Sequence, residues 1–171
     1  MIIVRLIYGK IYEQMAKIQR ITWNKIDMSC KNHSYHSFFD LSPDSKSNKT
    51  IDSYKSDIIS TMLTSHENFI LTDVDCVYKI CPCHYVPKIP GIYAPWQKHK
   101  QHKSVSLIAV VHPVTNFKPF SNEIEFNKFN DVGLLDFDIF NYCLCEDYSK
   151  DKKQDMIAKY SSLLNGDDYE I

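Results

Sequence analysis

The sequence predicts a single α+β domain over residues 1–171, an antiparallel sheet or partly closed β-barrel with an N-terminal helix and a C-terminal helix. Three observations lead there. A chain of 171 residues, 44% hydrophobic and 13% aromatic, has the length and composition of one globular unit with a buried core. Apolar residues recur at helical spacing near both ends and alternate in the middle. The connections between the candidate strands are too short for helical crossovers, which favours antiparallel pairing.

In chain order, Val4, Ile7, Tyr8, Ile11, Met15 and Ile18 fall three or four residues apart, predicting an amphipathic helix to about residue 22, although the β-branched run Ile2 to Ile7 also suits a strand. Residues 29–57 are rich in Ser, Asn, Asp and Lys and read as a polar loop. Phe69 to Ile80 alternates, with Ile70, Val74, Cys76, Tyr78 and Ile80 on one face and Asp73, Asp75 and Lys79 on the other, the clearest strand. Six of the seven prolines lie between Pro82 and Pro119, so residues 82–103 are expected to form an extended surface arm. Ser104 to Val111, Glu123 to Phe126 and Leu134 to Cys145 read as further strands, and residues 150–164 as a closing helix stopped at Asn165-Gly166.

The net charge of −1 conceals a segregation. Residues 76–122 hold six lysines, four histidines and no acidic side chain, whereas residues 123–171 hold twelve acids against five lysines. A local field of this kind guides an anionic partner even when the total is near zero. No cleavable leader is evident, because Arg5 interrupts the first apolar run, and no stretch approaches the roughly 20 apolar residues of a membrane span. The expected setting is therefore intracellular, in nucleus or cytoplasm, with no membrane contact.

The arm interleaves rings with ammonium groups: Lys79, Tyr85, Lys88, Tyr93, Trp96, Lys98, Lys100 and Lys103. Rings stack on bases at about 1–3 kcal/mol each and lysines neutralise phosphates, so these eight residues are the candidate nucleic-acid contacts. The element order resembles small oligonucleotide-binding (OB-fold) barrel subunits of single-strand-binding complexes of the replication or telomere type. That resemblance implies a non-enzymatic subunit of a larger assembly, with protein partners and single-stranded nucleic acid on the arm. A protein-interaction adaptor or host antagonist anchored by Ile92, Tyr93 and Trp96 is the alternative reading.

A third reading is a zinc-stabilised protein using Cys76, Cys81, Cys83, His84, Cys143 and Cys145. It is disfavoured, because Cys81-Pro82-Cys83 and Cys143-Leu144-Cys145 have one intervening residue where zinc knuckles use two to four; Cys30, His33 and His36 are weaker still. No nucleophile elbow, phosphate-binding glycine loop or metalloprotease motif is present, and Asp136 with Asp138 reads as a solvated acidic edge. The sequence thus points to no catalytic residue, no metal and no cofactor.

Overall fold

In the computed structural model, residues 1–29, 37–43, 48–76, 84–98 and 100–135, with Gln154, Asp155, Ile157 and Ala158, are described. Strand β1 (Ile2–Leu6) leads into helix α1 (Lys10–Ser29), then β2 (Ser37–Leu41), α2 (Ile51–Met62) with a short 3-10 turn (Leu63–Ser65), and β3 (Phe69–Thr72). The chain continues through β4 (Gly91–Gln97), β5 (His102–Lys103), β6 (Leu107–Val111), α3 (Glu123–Asn127) and β7 (Val132–Leu135).

These strands form one mixed sheet in the order β2-β1-β3-β6-β4, with β5 and β7 both pairing with β4. The pairs β2/β1, β1/β3 and β4/β7 are parallel, and β3/β6, β6/β4 and β4/β5 antiparallel. Strands β1, β2, β3, β4 and β7 therefore run one way and β6 and β5 the other. This is a Rossmann-like α/β sheet, and it overturns the expected antiparallel sheet or OB-like barrel. The missed features are the two helical crossovers, α1 between β1 and β2 and α2 between β2 and β3.

Both faces of the sheet are covered, so its central strands are apolar on both sides. Val4, Leu6, Phe69, Leu71, Ile108 and Val110 pack toward Ile58 and Ile59 of α2, with Phe120 and Phe126 beyond them. Ile3, Ile70, Leu107 and Ala109 face the other way, with Trp23 of α1. Continuous runs such as Ile-Ile-Val, Phe-Ile-Leu and Leu-Ile-Ala-Val-Val are what such strands require.

Other expectations are corrected locally. The first apolar run is a strand, and the helix begins only after Gly9, whose φ of 87° makes the turn that a side chain would resist. Residues 29–57 contain β2 and the start of α2, where the Thr50 hydroxyl accepts the Ser53 amide and caps the helix. Of the expected 69–80 strand, β3 takes Phe69–Thr72, the chain turns at Val74 and Asp75, and residues 77–80 lie outside the described residues. Glu123 to Phe126 is helical: Asn122 accepts the Glu125 amide at 3.0 Å and the Glu125 carboxylate accepts the Ser121 amide at 2.8 Å, a reciprocal cap. The segment 82–103 is not an outlying arm, because Gly91–Gln97 is an interior strand between β6 and β7. Pro95 sits at its far end, past the β6 pairing, where its missing N–H breaks no ladder there. Most of Leu134 to Cys145 and of the closing helix lies outside the described residues.

A Cβ added to Gly133 would come within 2.6 Å of the Tyr93 ring. Gly133→Ala should therefore destabilise the chain by about 1–3 kcal/mol, read as a lower urea midpoint at unchanged m-value.

His112, beside His66 with ring centroids 5.9 Å apart, has both ring nitrogens enclosed without a hydrogen-bond partner in the described structure. Burial, and secondarily His66, lowers its pKa from the ordinary 6.5. The unfolded chain then takes up this proton at a higher pH than the folded one, so stability should fall as pH drops below about 6.5. Urea titrations between pH 8 and 5 should show that decline, and His112→Gln should flatten it.

Candidate functional site

Parallel strands that end together leave a crevice at their carboxyl ends, the usual ligand position in open α/β sheets. Here that end holds a cleft of about 300 Å³. Its floor is Leu6 of β1 and the Asp73-Val74-Asp75 turn after β3; Tyr8 and Tyr12 stand on one side, Ile51, Asp52 and Lys55 on another, and Lys100, Val105, Ser106 and Glu123 complete the wall. A second cavity, about 210 Å³, opens at the opposite end of β4 among Phe117, Phe126 and Phe129 and gathers no comparable set of charged groups.

The turn that presents the two aspartates is fixed from beneath. Gln19 of α1, wholly buried, donates its side-chain amide to the carbonyls of Asp73 (2.7 Å) and Cys76 (2.9 Å), and the Asp73 amide donates to the Ser106 carbonyl (2.8 Å). Gln19 is itself held by Arg5, which donates to its side-chain oxygen at 3.3 Å, to the Ala16 carbonyl at 2.8 Å, and through two nitrogens to the Asp40 carboxylate at 2.7 and 2.8 Å.

Lys55 is buried, its ammonium 2.6 Å from Asp73 Oδ1 and 3.1 Å from the Val105 carbonyl oxygen. Burial alone would lower its pKa, but Asp73 first, then Asp52 and Asp75, reverse that and hold it above the ordinary lysine value. Asp52, which accepts the Glu123 amide at 3.1 Å, is raised by burial and by the charges of Asp73 and Glu123, against the opposing pull of Lys55. Tyr8 stacks on Tyr12 at 4.0 Å between centroids; burial, the contact with Tyr12 and the charges of Asp73 and Asp75 all raise its pKa, so it stays neutral. Glu123 lies 3.7 Å from Lys100 and 3.5 Å from His102. Four carboxyl groups thus line a cleft that holds two ammonium groups.

The eight residues singled out from the sequence do not assemble into one surface. Lys79 lies outside the described residues, as do Cys81, Cys83, Cys143 and Cys145 of the zinc reading and Cys30, His33 and His36. Tyr85 is half-buried and Lys88 exposed before β4, while Lys98, Lys100 and Lys103 follow that strand, roughly 20 Å further along at a strand's rise per residue. Tyr93 is turned onto Gly133, its hydroxyl donating to the Ile89 carbonyl at 2.8 Å. Lys103 donates its ammonium to the Phe129 carbonyl at 2.6 Å. Trp96 and Lys98 remain exposed, and only Lys100 reaches the cleft.

The residues that do converge, Asp52, Lys55, Asp73 and Asp75, were read in the sequence as loop or as the polar face of a strand. The available signal was Asp-x-Asp directly after the run Phe-Ile-Leu-Thr, three apolar residues and a threonine, where a buried strand must emerge from the core. Among the described residues no three His, Cys, Asp or Glu side chains are grouped as a metal cage, and no helix is long and apolar enough to cross a membrane.

No family model and no curated protein matches the sequence. Among solved structures, the chain is similar to a glycosyltransferase involved in the glycosylation of the major capsid of PBCV-1, with a TM-score of 0.54 and 12% identity over 91% of this chain and 98% of that one. The galactosyltransferase LgtC, solved with donor and acceptor sugar analogs, matches at a TM-score of 0.39 and 9% identity over 92% of this chain and 70% of that one. The first likeness concerns the fold. It removes the basis for an OB-fold, nucleic-acid-binding subunit, which rested on barrel architecture and an outlying arm, and with it the expectation of a non-enzymatic protein.

Replacing Lys55 with Met should leave Asp73 buried without its counter-charge, close to Asp52 and Asp75. A loss of about 3 kcal/mol is expected for breaking a buried pair, measurable by urea unfolding at pH 7, with Lys55→Arg losing less. The architecture of the chain is that of a Rossmann-like mixed sheet carrying an acidic cleft at its carboxyl edge.

Proposed function

We propose that this chain transfers a glycosyl group from a nucleoside-diphosphate sugar to an acceptor hydroxyl. The observation that carries the proposal is the Asp73-x-Asp75 pair, clamped beside Lys55 at the carboxyl ends of β1 and β3. The fold-level likeness to a solved glycosyltransferase supports the reaction class.

The donor set suits a divalent cation brought in with the diphosphate. Two carboxylates are the usual protein share for Mg²⁺, which keeps several waters and takes phosphate oxygens for the rest. Asp73 and Asp75 would hold it, and Asp73 keeps its second oxygen while Oδ1 meets Lys55. Bound there, such a cation supplies positive charge to the departing diphosphate.

The chain's own groups do the remaining work. The N-termini of α1 and α2 open on the cleft through Tyr12 and through Ile51 and Asp52, and their dipoles favour an anion. The paired rings of Tyr8 and Tyr12 offer an aromatic surface to the base. Lys55 holds the Asp73 carboxylate in place. In the transfer, the bond from the anomeric carbon to the diphosphate oxygen breaks and one to the acceptor oxygen forms; the acceptor proton passes to a cleft carboxylate or to water.

Calorimetric titration with UDP, GDP and their sugar conjugates, with Mg²⁺ or Mn²⁺ present, should find one that binds, and its turnover should release nucleoside diphosphate. Asp73→Asn and Asp75→Asn should each weaken binding or turnover at least about tenfold, the loss of one charge-assisted contact. A folded wild-type chain that neither binds nor hydrolyses any member of such a panel would overturn the proposal.

A further inference from the structure

The hairpin between β4 and β5 reaches the cleft at Lys100 and also carries Trp96. It is pinned with unusual thoroughness for so short a ladder. Gln97, buried, donates to the Ser104 hydroxyl at 3.0 Å; Asn127 of α3 accepts the Lys103 amide and donates to the Lys103 carbonyl at 3.0 Å; and the Lys103 ammonium reaches the Phe129 carbonyl. Gln101, at φ 56°, closes the turn and donates to the Lys98 carbonyl.

On this fixed ledge Trp96 leaves 37% of its surface in water, whereas Trp23, the chain's other tryptophan, is 1% exposed. Holding a large ring partly in solvent forgoes apolar burial, and a ring carried on a pinned strand leaves less backbone to order when something stacks on it. A pyranose suits such a ring: its C–H face is apolar and weakly positive, the ring face is weakly negative, and the hydroxyls at the sugar's edge need donors and acceptors nearby. Lys98 is exposed on the same turn, Lys100 and Glu123 line the cleft, and Glu123 lies 3.7 Å from Lys100 and 3.5 Å from His102.

We infer that the β4–β5 hairpin is a saccharide-binding ledge, in which Trp96 stacks on a pyranose ring of the acceptor and presents its hydroxyl to the cleft. The inference rests on the glycosyl-transfer reading for its purpose, and on Trp96 alone for its binding.

Trp23 being buried, a ligand that covers Trp96 should alter the exposed component of tryptophan emission and protect it from acrylamide. The full chain, printed over an oligosaccharide array and then titrated in solution with the strongest soluble hit, should show saturable protection. Trp96→Ala should weaken that binding about tenfold or more, or raise the acceptor KM equally at unchanged kcat, while leaving nucleotide-sugar binding unaltered. Trp96→Phe, which keeps a stacking face, should recover most of the affinity, separating stacking from a folding defect. Glycan binding that persists unchanged in Trp96→Ala overturns the inference, as does a chain that binds nucleotide sugar yet no saccharide on the array. If saccharide binding depends on Trp96 but no nucleotide sugar binds, the ledge stands and the transfer reaction falls.

Discussion

The position of the cleft depends on one buried polar chain. Asp40 of β2 holds Arg5 of β1, Arg5 holds Gln19 of α1, and Gln19 holds the backbone of the turn after β3 at Asp73 and Cys76. Arg5 and Gln19 are almost wholly excluded from solvent, so each must find partners or leave an uncompensated group in the core. That requirement sets register as well as stability. Arg5 lies opposite Asp40 in the β1/β2 ladder, and a one-residue slip would turn the guanidinium away from both Asp40 and Gln19. Because the last bonds of the chain end on carbonyls of the acidic turn, the carboxylates of Asp73 and Asp75 take their place from a network that begins at the sheet's edge.

Part of this architecture could be read in the sequence, and the rest was hidden for identifiable reasons. Leu107 to Val111 was legible as a strand because five consecutive apolar residues admit little else at that length. The same logic applies to Ile2–Leu6, but the three- and four-residue spacing of Val4, Ile7, Tyr8 and Ile11 favours a helix there; the bonds of Arg5 to Asp40, Gln19 and Ala16 explain why an arginine belongs in the strand. Phe69 to Ile80 was taken as alternating when the run Phe-Ile-Leu-Thr was the strand and the aspartates were already past its end. Continuous apolarity marks a strand covered on both faces, and the antiparallel expectation comes instead from connections that look too short for the helical crossovers α1 and α2.

The candidate site was less legible than the fold. Asp52, Lys55 and Asp73 meet only because α2 crosses over the sheet and brings its N-terminal turn to the carboxyl end of β3; no spacing along the chain records that. The acid-free window from 76 to 122 was real, yet it mixed distinct environments: Tyr93 within the sheet, Lys103 tied to α3, Lys88 at one end of β4 and Lys100 at the other. Prolines weighed too heavily, since Pro95 is tolerated where the strand outruns one of its neighbours.

The balance of charge in the cleft constrains what can enter it. Asp52, Asp73, Asp75 and Glu123 face Lys55 and Lys100, and the burial that raises Asp52 shows how costly another uncompensated negative charge would be. A bare diphosphate would add such charge beside Asp73 and Asp75. The helix N-termini offset only part of that repulsion, since each is worth at most a kcal/mol or so, about 0.3–1 at a surface site. Lys55 cannot supply the remainder, because its ammonium is already shared between Asp73 and the Val105 carbonyl. The proposed anionic donor would therefore enter this cleft as a neutralised complex, and an acidic turn clamped by Gln19 is suited to receive the positive part of it.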